Sequence, residues 1–109
     1  MFNDKTFTFR GASGFSYDVR LVRGFYGNGN KALQLVDADD GSPVLIATVN
    51  LGARNLPGFI TVKDYSENEG VLEFLQEIGF VADVDHYEDS GYVTVPVCRL
   101  TPEGEKFFE

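Results

Sequence analysis

Ser66-Glu67-Asn68-Glu69-Gly70-Val71-Leu72-Glu73-Phe74-Leu75-Gln76-Glu77-Ile78-Gly79 is the stretch that decides the fold class. Ser66 and Glu69 match the Ser-x-x-Glu capping box, in which a hydroxyl and a carboxylate satisfy free amides at a helix start. Val71, Leu72, Phe74, Leu75 and Ile78 fall within roughly 160° of one another at 100° per residue, an apolar stripe. Gly79 stands where helices take a left-handed residue to stop. The spacing predicts a helix over residues 67–78, packed by its stripe on something flat.

Outward from this helix, the other patterned stretches have the period of strands. Thr6–Arg10 alternates, with Phe7 and Phe9 on one face. Phe15–Leu21 alternates again, with Phe15, Tyr17, Val19 and Leu21 expected inward. Gly11-Ala12-Ser13-Gly14 between them reads as a turn, so the two runs predict a hairpin. Tyr26-Gly27-Asn28-Gly29-Asn30 is a second turn, rich in residues that tolerate positive φ. Lys31–Val36 and Val44–Leu51 are expected strands, the latter apolar on both faces and so central. Phe59–Lys63 is a short strand. Phe80–Glu88 is irregular and is read as a loop over 83–89. Tyr92–Leu100 is strand-like, with Pro96 pointing to an edge or a bulge. Thr101 and Pro102 fit the cap and first position of a short helical end over 101–109. The expectation is one α+β domain over residues 1–109: an antiparallel sheet of five to seven strands with one main helix packed on one face.

Composition narrows function. The chain has 109 residues and 43% hydrophobic content, enough for a core. Seventeen acids against nine Lys and Arg give a net charge of −8, which opposes direct contact with nucleic-acid phosphates. One cysteine, Cys98, excludes an internal disulfide, and one histidine, His86, leaves little for His-based metal or nucleophile chemistry. Nothing resembles a membrane span or a signal segment, so the expected location is cytoplasmic.

Several motifs read as ordinary structure. In Asp37-Ala38-Asp39-Asp40-Gly41 the glycine falls at position 5 and Thr48 at 12, out of register for a calcium loop, so a turn is expected. In the Gly24–Lys31 segment Asn30 separates the glycines from Lys31 and a strand follows, unlike a P-loop. Cys98 sits in an apolar run and reads as a small buried hydrophobe. His86 lies among Asp83, Asp85, Glu88 and Asp89, neighbours that favour its protonated form.

What remains is acidic. Residues 1–35 carry a net of +3, and residues 36–109 a net of −11. Between Asp64 and Asp89 there are nine acids and no Lys or Arg: Asp64, Glu67, Glu69, Glu73, Glu77, Asp83, Asp85, Glu88 and Asp89. Glu69, Glu73 and Glu77 repeat every fourth residue opposite the apolar stripe, and such pairs repel by about 0.2–0.5 kcal/mol each. Local stability does not account for the stripe. It is either a solvated face or a surface that imitates nucleic-acid phosphates and occupies a basic site on another protein. Three carboxylates along the helix give roughly 0.25 charge per Å, against near 0.6 per Å for duplex DNA. The helix alone is too sparse a mimic, and the 83–89 loop would have to join it on one face.

Tyr26-x-Asn28-Gly29-Asn30-x-Ala32-Leu33-Gln34-Leu35-Val36, Asp40-Gly41-x-Pro43, Ala47-Thr48-Val49-Asn50-Leu51, Val62–Gly70 and Ser90-Gly91-Tyr92-Val93-x-Val95-Pro96-Val97 together resemble a family of small uncharacterised proteins of bacteria, plasmids and phage-like mobile elements. The resemblance implies a setting rather than a chemistry: accessory genes, where small acidic proteins often inhibit host defence, as anti-CRISPR and anti-restriction proteins do. The resulting expectation is a non-enzymatic inhibitor of a host defence complex, most plausibly a CRISPR effector. It would use the nine carboxylates above against a basic nucleic-acid site, with no catalytic residues, no metal and no cofactor. The alternative is a small-ligand or metal-binding accessory protein using Asp83, Asp85 and His86.

Overall fold

In the computed structural model of the chain, which describes residues 2–11 and 14–109, the first half folds as consecutive antiparallel hairpins. Strands β1 (Phe7–Arg10), β2 (Ser16–Phe25), β3 (Lys31–Asp37) and β4 (Pro43–Ile46) form a four-stranded sheet in chain order. The predicted β1–β2 hairpin is present, with Phe9 opposite Tyr17 and Phe7 opposite Val19. Residues 12 and 13 of its expected turn lie outside the described residues. The period-2 pattern places Phe9, Val19, Leu21, Leu33 and Leu35 in the interior. Phe15 and Tyr17, expected inward, are instead exposed at 67% and 40%, although Phe9 opposite Tyr17 is buried against Phe74 of the later helix. The Asp37–Gly41 segment is the expected turn: Asp37 Oδ1 accepts from the amides of Asp39 and Asp40.

A second sheet holds β5 (Phe59–Thr61), β6 (Val81–Ser90) and β7 (Val93–Leu100) in the order β5-β7-β6, all antiparallel. The single five-to-seven-stranded sheet expected from sequence is therefore two sheets, of four and three strands. The divide falls inside the segment read as one central strand. Val44–Leu51 stops being a ladder strand at Ile46, which is exposed, and β4 is an edge strand. Ala47 to Val49 then crosses to the second sheet. The Ala47 amide donates to Leu33 O, the Lys63 amide to Ala47 O, and the Val49 amide to Thr61 O, around the lone bridge Thr48–Val62.

The residues 83–89, read as a loop, are part of strand β6. Two register shifts, between Val81 and Val84 and between Val84 and His86, break its alternation, which is why the sequence lacks a strand period there. Gly91 and Tyr92 make a two-residue turn into β7, with Gly91 at φ 67°.

The predicted helix over 67–78 is shorter. A 3-10 turn, Ser66–Asn68, precedes helix α1, Val71–Glu77, and Gly70 between them has φ 100°. The capping box does not form, because Ser66 is left-handed at φ 56° and its side chain makes no capping bond. The C-terminal expectation holds: Gly79 has φ 80°, its amide donates to Gln76 O, and the Phe80 amide donates to Leu75 O. The short helical end expected over 101–109 is present as α2, Pro102–Phe107, after β7. Thr101 Oγ1 accepts from the Gly104 amide as its cap, and Pro102 opens it.

One apolar cluster joins these pieces. Val71, Phe74 and Leu75 of α1, Leu33 and Leu35 of β3, Ile60 and Cys98 of the second sheet, and Phe107 and Phe108 at the chain end all belong to it. Phe80 is fully buried and packs edge-on against Phe2, Phe107 and Phe108 at 5.1–5.9 Å. Each such side chain contributes about 1.5–3 kcal/mol. Helix α1 contacts both β1 and β6, one edge strand of each sheet.

Candidate interaction surface

Two elements bring the nine candidate acids into place. Asp64, Glu67 and Glu69 precede α1, Glu73 and Glu77 lie on it, and Asp83, Asp85, Glu88 and Asp89 lie on β6. The structure gives several of them internal partners. Asp64 Oδ1 accepts hydrogen bonds from the amides of Gly70 (3.1 Å) and Leu72 (3.0 Å), so this carboxylate performs the capping that sequence assigned to Ser66 and Glu69. Glu67 pairs with Lys63 at 2.9 Å; that bond lowers the Glu67 pKa and raises that of Lys63.

On β6 the acids meet cations that lie just outside the acidic stretch or inside it. Arg99 of β7 reaches Asp83 at 3.3 Å and Asp85 at 3.9 Å. His86 lies between two carboxylates, with Nδ1 at 2.8 Å from Asp85 and Nε2 at 2.9 Å from Glu88. The hydrogen bond to Glu88, then that to Asp85, raises the His86 pKa. Arg99 is remote in sequence, so only the β6–β7 pairing reveals that it offsets this cluster.

Glu69, Glu73, Glu77 and Asp89 have no ion-pair partner among the described residues, and all four are exposed. Glu73 and Glu77 line a groove of about 410 Å3 with Thr8 and Arg10 of β1, floored by Phe74. On the other flank of α1, Gln76 Nε2 reaches Ala82 O of β6 at 3.5 Å. The helix acids therefore lean toward β1, while the strand acids belong to β6.

Other chemistry is limited. Cys98 is fully buried, and burial pushes its thiol up to about 12, far from the range of a reactive thiolate. Among the described residues no three His, Cys, Asp or Glu side chains are grouped so as to hold one metal ion. No helix is long and apolar enough to cross a membrane.

The sequence pattern missed a polar network around Asn30. Asn30, almost fully buried, donates from Nδ2 to Asn50 Oδ1 (3.1 Å) and Ala53 O (2.8 Å), and its Oδ1 accepts from the Asn55 amide (2.8 Å). Asn28 donates to Asn50 Oδ1 and Gly52 O. These bonds fix the turn before β3 to the loop after the crossover. Asn-Gly-Asn signals a turn in sequence, but its partners lie 20 or more residues away.

The chain matches no family model, no curated protein and no solved structure.

Proposed function

We propose that the protein is a non-enzymatic inhibitor that binds a basic nucleic-acid site of another protein, with an anti-CRISPR-like role in a host defence setting. The observation that carries this reading is the set of exposed, unpaired carboxylates Glu69, Glu73 and Glu77 on and before one helix, in a chain of net charge −8. Such a surface attracts Lys and Arg that otherwise hold phosphates, and it directs association over long range. The β6 acids are a weaker contributor than their number suggests, since Arg99 and His86 already offset three of them. Glu69, Glu73, Glu77 and Asp89 are assigned the main contacts, Asp83, Asp85 and Glu88 a secondary field, and Asp64 and Glu67 a largely structural part.

The metal-binding alternative is less favoured, because Asp83, Asp85 and His86 are engaged with Arg99 and with one another rather than left open toward a common point. The test is affinity capture from bacterial lysate at about 50 and 200 mM salt, with a Glu69→Lys/Glu73→Lys/Glu77→Lys control. Recovery of a nucleic-acid-binding complex by the wild type alone, lost as salt rises, supports the reading. Equal recovery by the control, or recovery of no such complex, refutes it.

A further inference from the structure

The groove between β1 and α1 has a second property besides its charge. Strand β1 pairs with β2 alone, so its other side is an open edge. The hairpin bond from the Gly11 amide to Phe15 O fixes the phase of the ladder. Counting back by two, Phe9 and Phe7 exchange bonds with β2, whereas the amides and carbonyls of Thr8 and Arg10 point away from it. Thr8 and Arg10 are the two β1 residues that line the groove. Among the described residues their main-chain groups have no backbone partner. A Cβ on Gly70 would stand 3.6 Å from the Arg10 carbonyl oxygen, so the backbone at Gly70 closes the groove at that carbonyl.

We infer that this edge accepts an extended segment of another protein as an added strand, and that the segment carries Lys or Arg facing Glu73 and Glu77. Strand addition beside a helix supplies affinity through main-chain bonds and specificity through alternate side chains. Here the amide and carbonyl of Thr8 and the amide of Arg10 meet the segment's backbone. Phe74 offers an apolar floor for one side chain, and the two carboxylates, which outweigh the single Arg10 cation in the lining, favour a basic one. Edge strand β6 is unsuited to this: two register shifts bend it, and it carries Asp83, Asp85 and Asp89, devices that discourage pairing. The register of β1 is unbroken. This inference is separate from the proposed nucleic-acid-site inhibition, since it depends on backbone pairing that a charge contact does not use.

The probe is an acetylated, amidated Val-Lys-Val-Lys-Val peptide, compared with Val-Glu-Val-Glu-Val and with two N-methylated versions, one methylated on the lysine nitrogens and one on the valine nitrogens. An added strand turns alternate amides toward β1, so one methylated version should lose at least tenfold in affinity while the other keeps it. Amide shifts should centre on Thr8, Arg10, Gly70 and Glu73, and the glutamate peptide should not bind. Thr8→Pro removes an outward amide without touching the β1–β2 ladder, and should abolish peptide binding while leaving the melting temperature near wild type. Equal binding of both methylated peptides, shifts centred elsewhere, or no binding of the lysine peptide at millimolar concentration would overturn the inference. Glu73→Lys/Glu77→Lys weakens both this contact and the proposed inhibition, whereas Thr8→Pro weakens this one alone, so the two readings fail separately.

Discussion

Replacing Asp64 by alanine removes the one side chain that caps α1. Its Oδ1 accepts from two amides, those of Gly70 and Leu72, and no other side-chain cap is present. A helix of seven residues does not persist without support from its ends and its packing. Loss of a cap costs about 0.5–2 kcal/mol, and two amides stranded at a partly buried helix start place this case in the upper half, about 1–2 kcal/mol. At about 2.1 cal/mol/K per residue the chain has an unfolding entropy near 0.23 kcal/mol/K, so the melting temperature should fall by about 4–9 °C. Asp64→Asn keeps an oxygen acceptor and should fall by less. The assay is thermal melting by circular dichroism, paired with urea unfolding to show that the slope m is unchanged. An Asp64→Ala protein that melts within about 1 °C of wild type would refute the capping argument. Because Asp64→Asn removes charge while retaining the cap, it also separates this carboxylate's structural part from any contact with a partner.

Three further outcomes are expected. Gly104→Ala drives a Cβ into the carbonyl oxygen of Phe80, and the resulting overpacking should destabilise by about 1–3 kcal/mol, read as a lower urea midpoint. His86, the single histidine, has its pKa raised above the ordinary 6.5 by its two carboxylate bonds, so its contribution to stability is full below that value and is lost as pH rises through the folded pKa. An NMR titration should find the His86 midpoint above 6.5, and any deficit in the melting temperature of His86→Gln should shrink as the pH is raised through that midpoint. Cys98 should resist a disulfide-exchange reagent at about pH 8, where burial keeps the thiol protonated and out of reach, and should react at once in denaturant.

Where the sequence carries a strong local period, the fold is legible from it. Alternation marks β1, most of β2 and β3, and the apolar stripe with Gly79 marks the body and end of α1. The failures have physical causes. Ser66 and Glu69 satisfy the capping rule in sequence, yet the left-handed Gly70 breaks the chain between the 3-10 turn and α1, and a carboxylate six residues before Gly70 takes the capping role. Val44–Leu51 carries apolar residues on both faces, so nothing in its pattern shows that it leaves one sheet and touches another. The bulges of β6 erase the alternation that would identify it as a strand. The acidic stretch is legible as charge but not as surface. Lys63 lies one residue beyond its start and Arg99 lies ten beyond its end, and their pairing with Glu67, Asp83 and Asp85 depends on tertiary proximity. The open edge of β1 is invisible in sequence, since it is defined by a strand that is absent from that side.

The order of strands bears on how the molecule assembles. Every pairing in the first sheet joins neighbours in the chain, as does β6 with β7, so these hairpins close short loops. The β5–β7 pairing is different: Phe59 meets Arg99 across about 40 residues, the longest closure between paired strands. Local hairpins form early and at small entropic cost, and such distant contacts come late. The step that seats β5 against β7 also brings Thr48 to Val62, and so unites the two sheets. Folding should then be limited by this closure, with substitutions at Ile60 of β5 slowing folding at least as much as they speed unfolding.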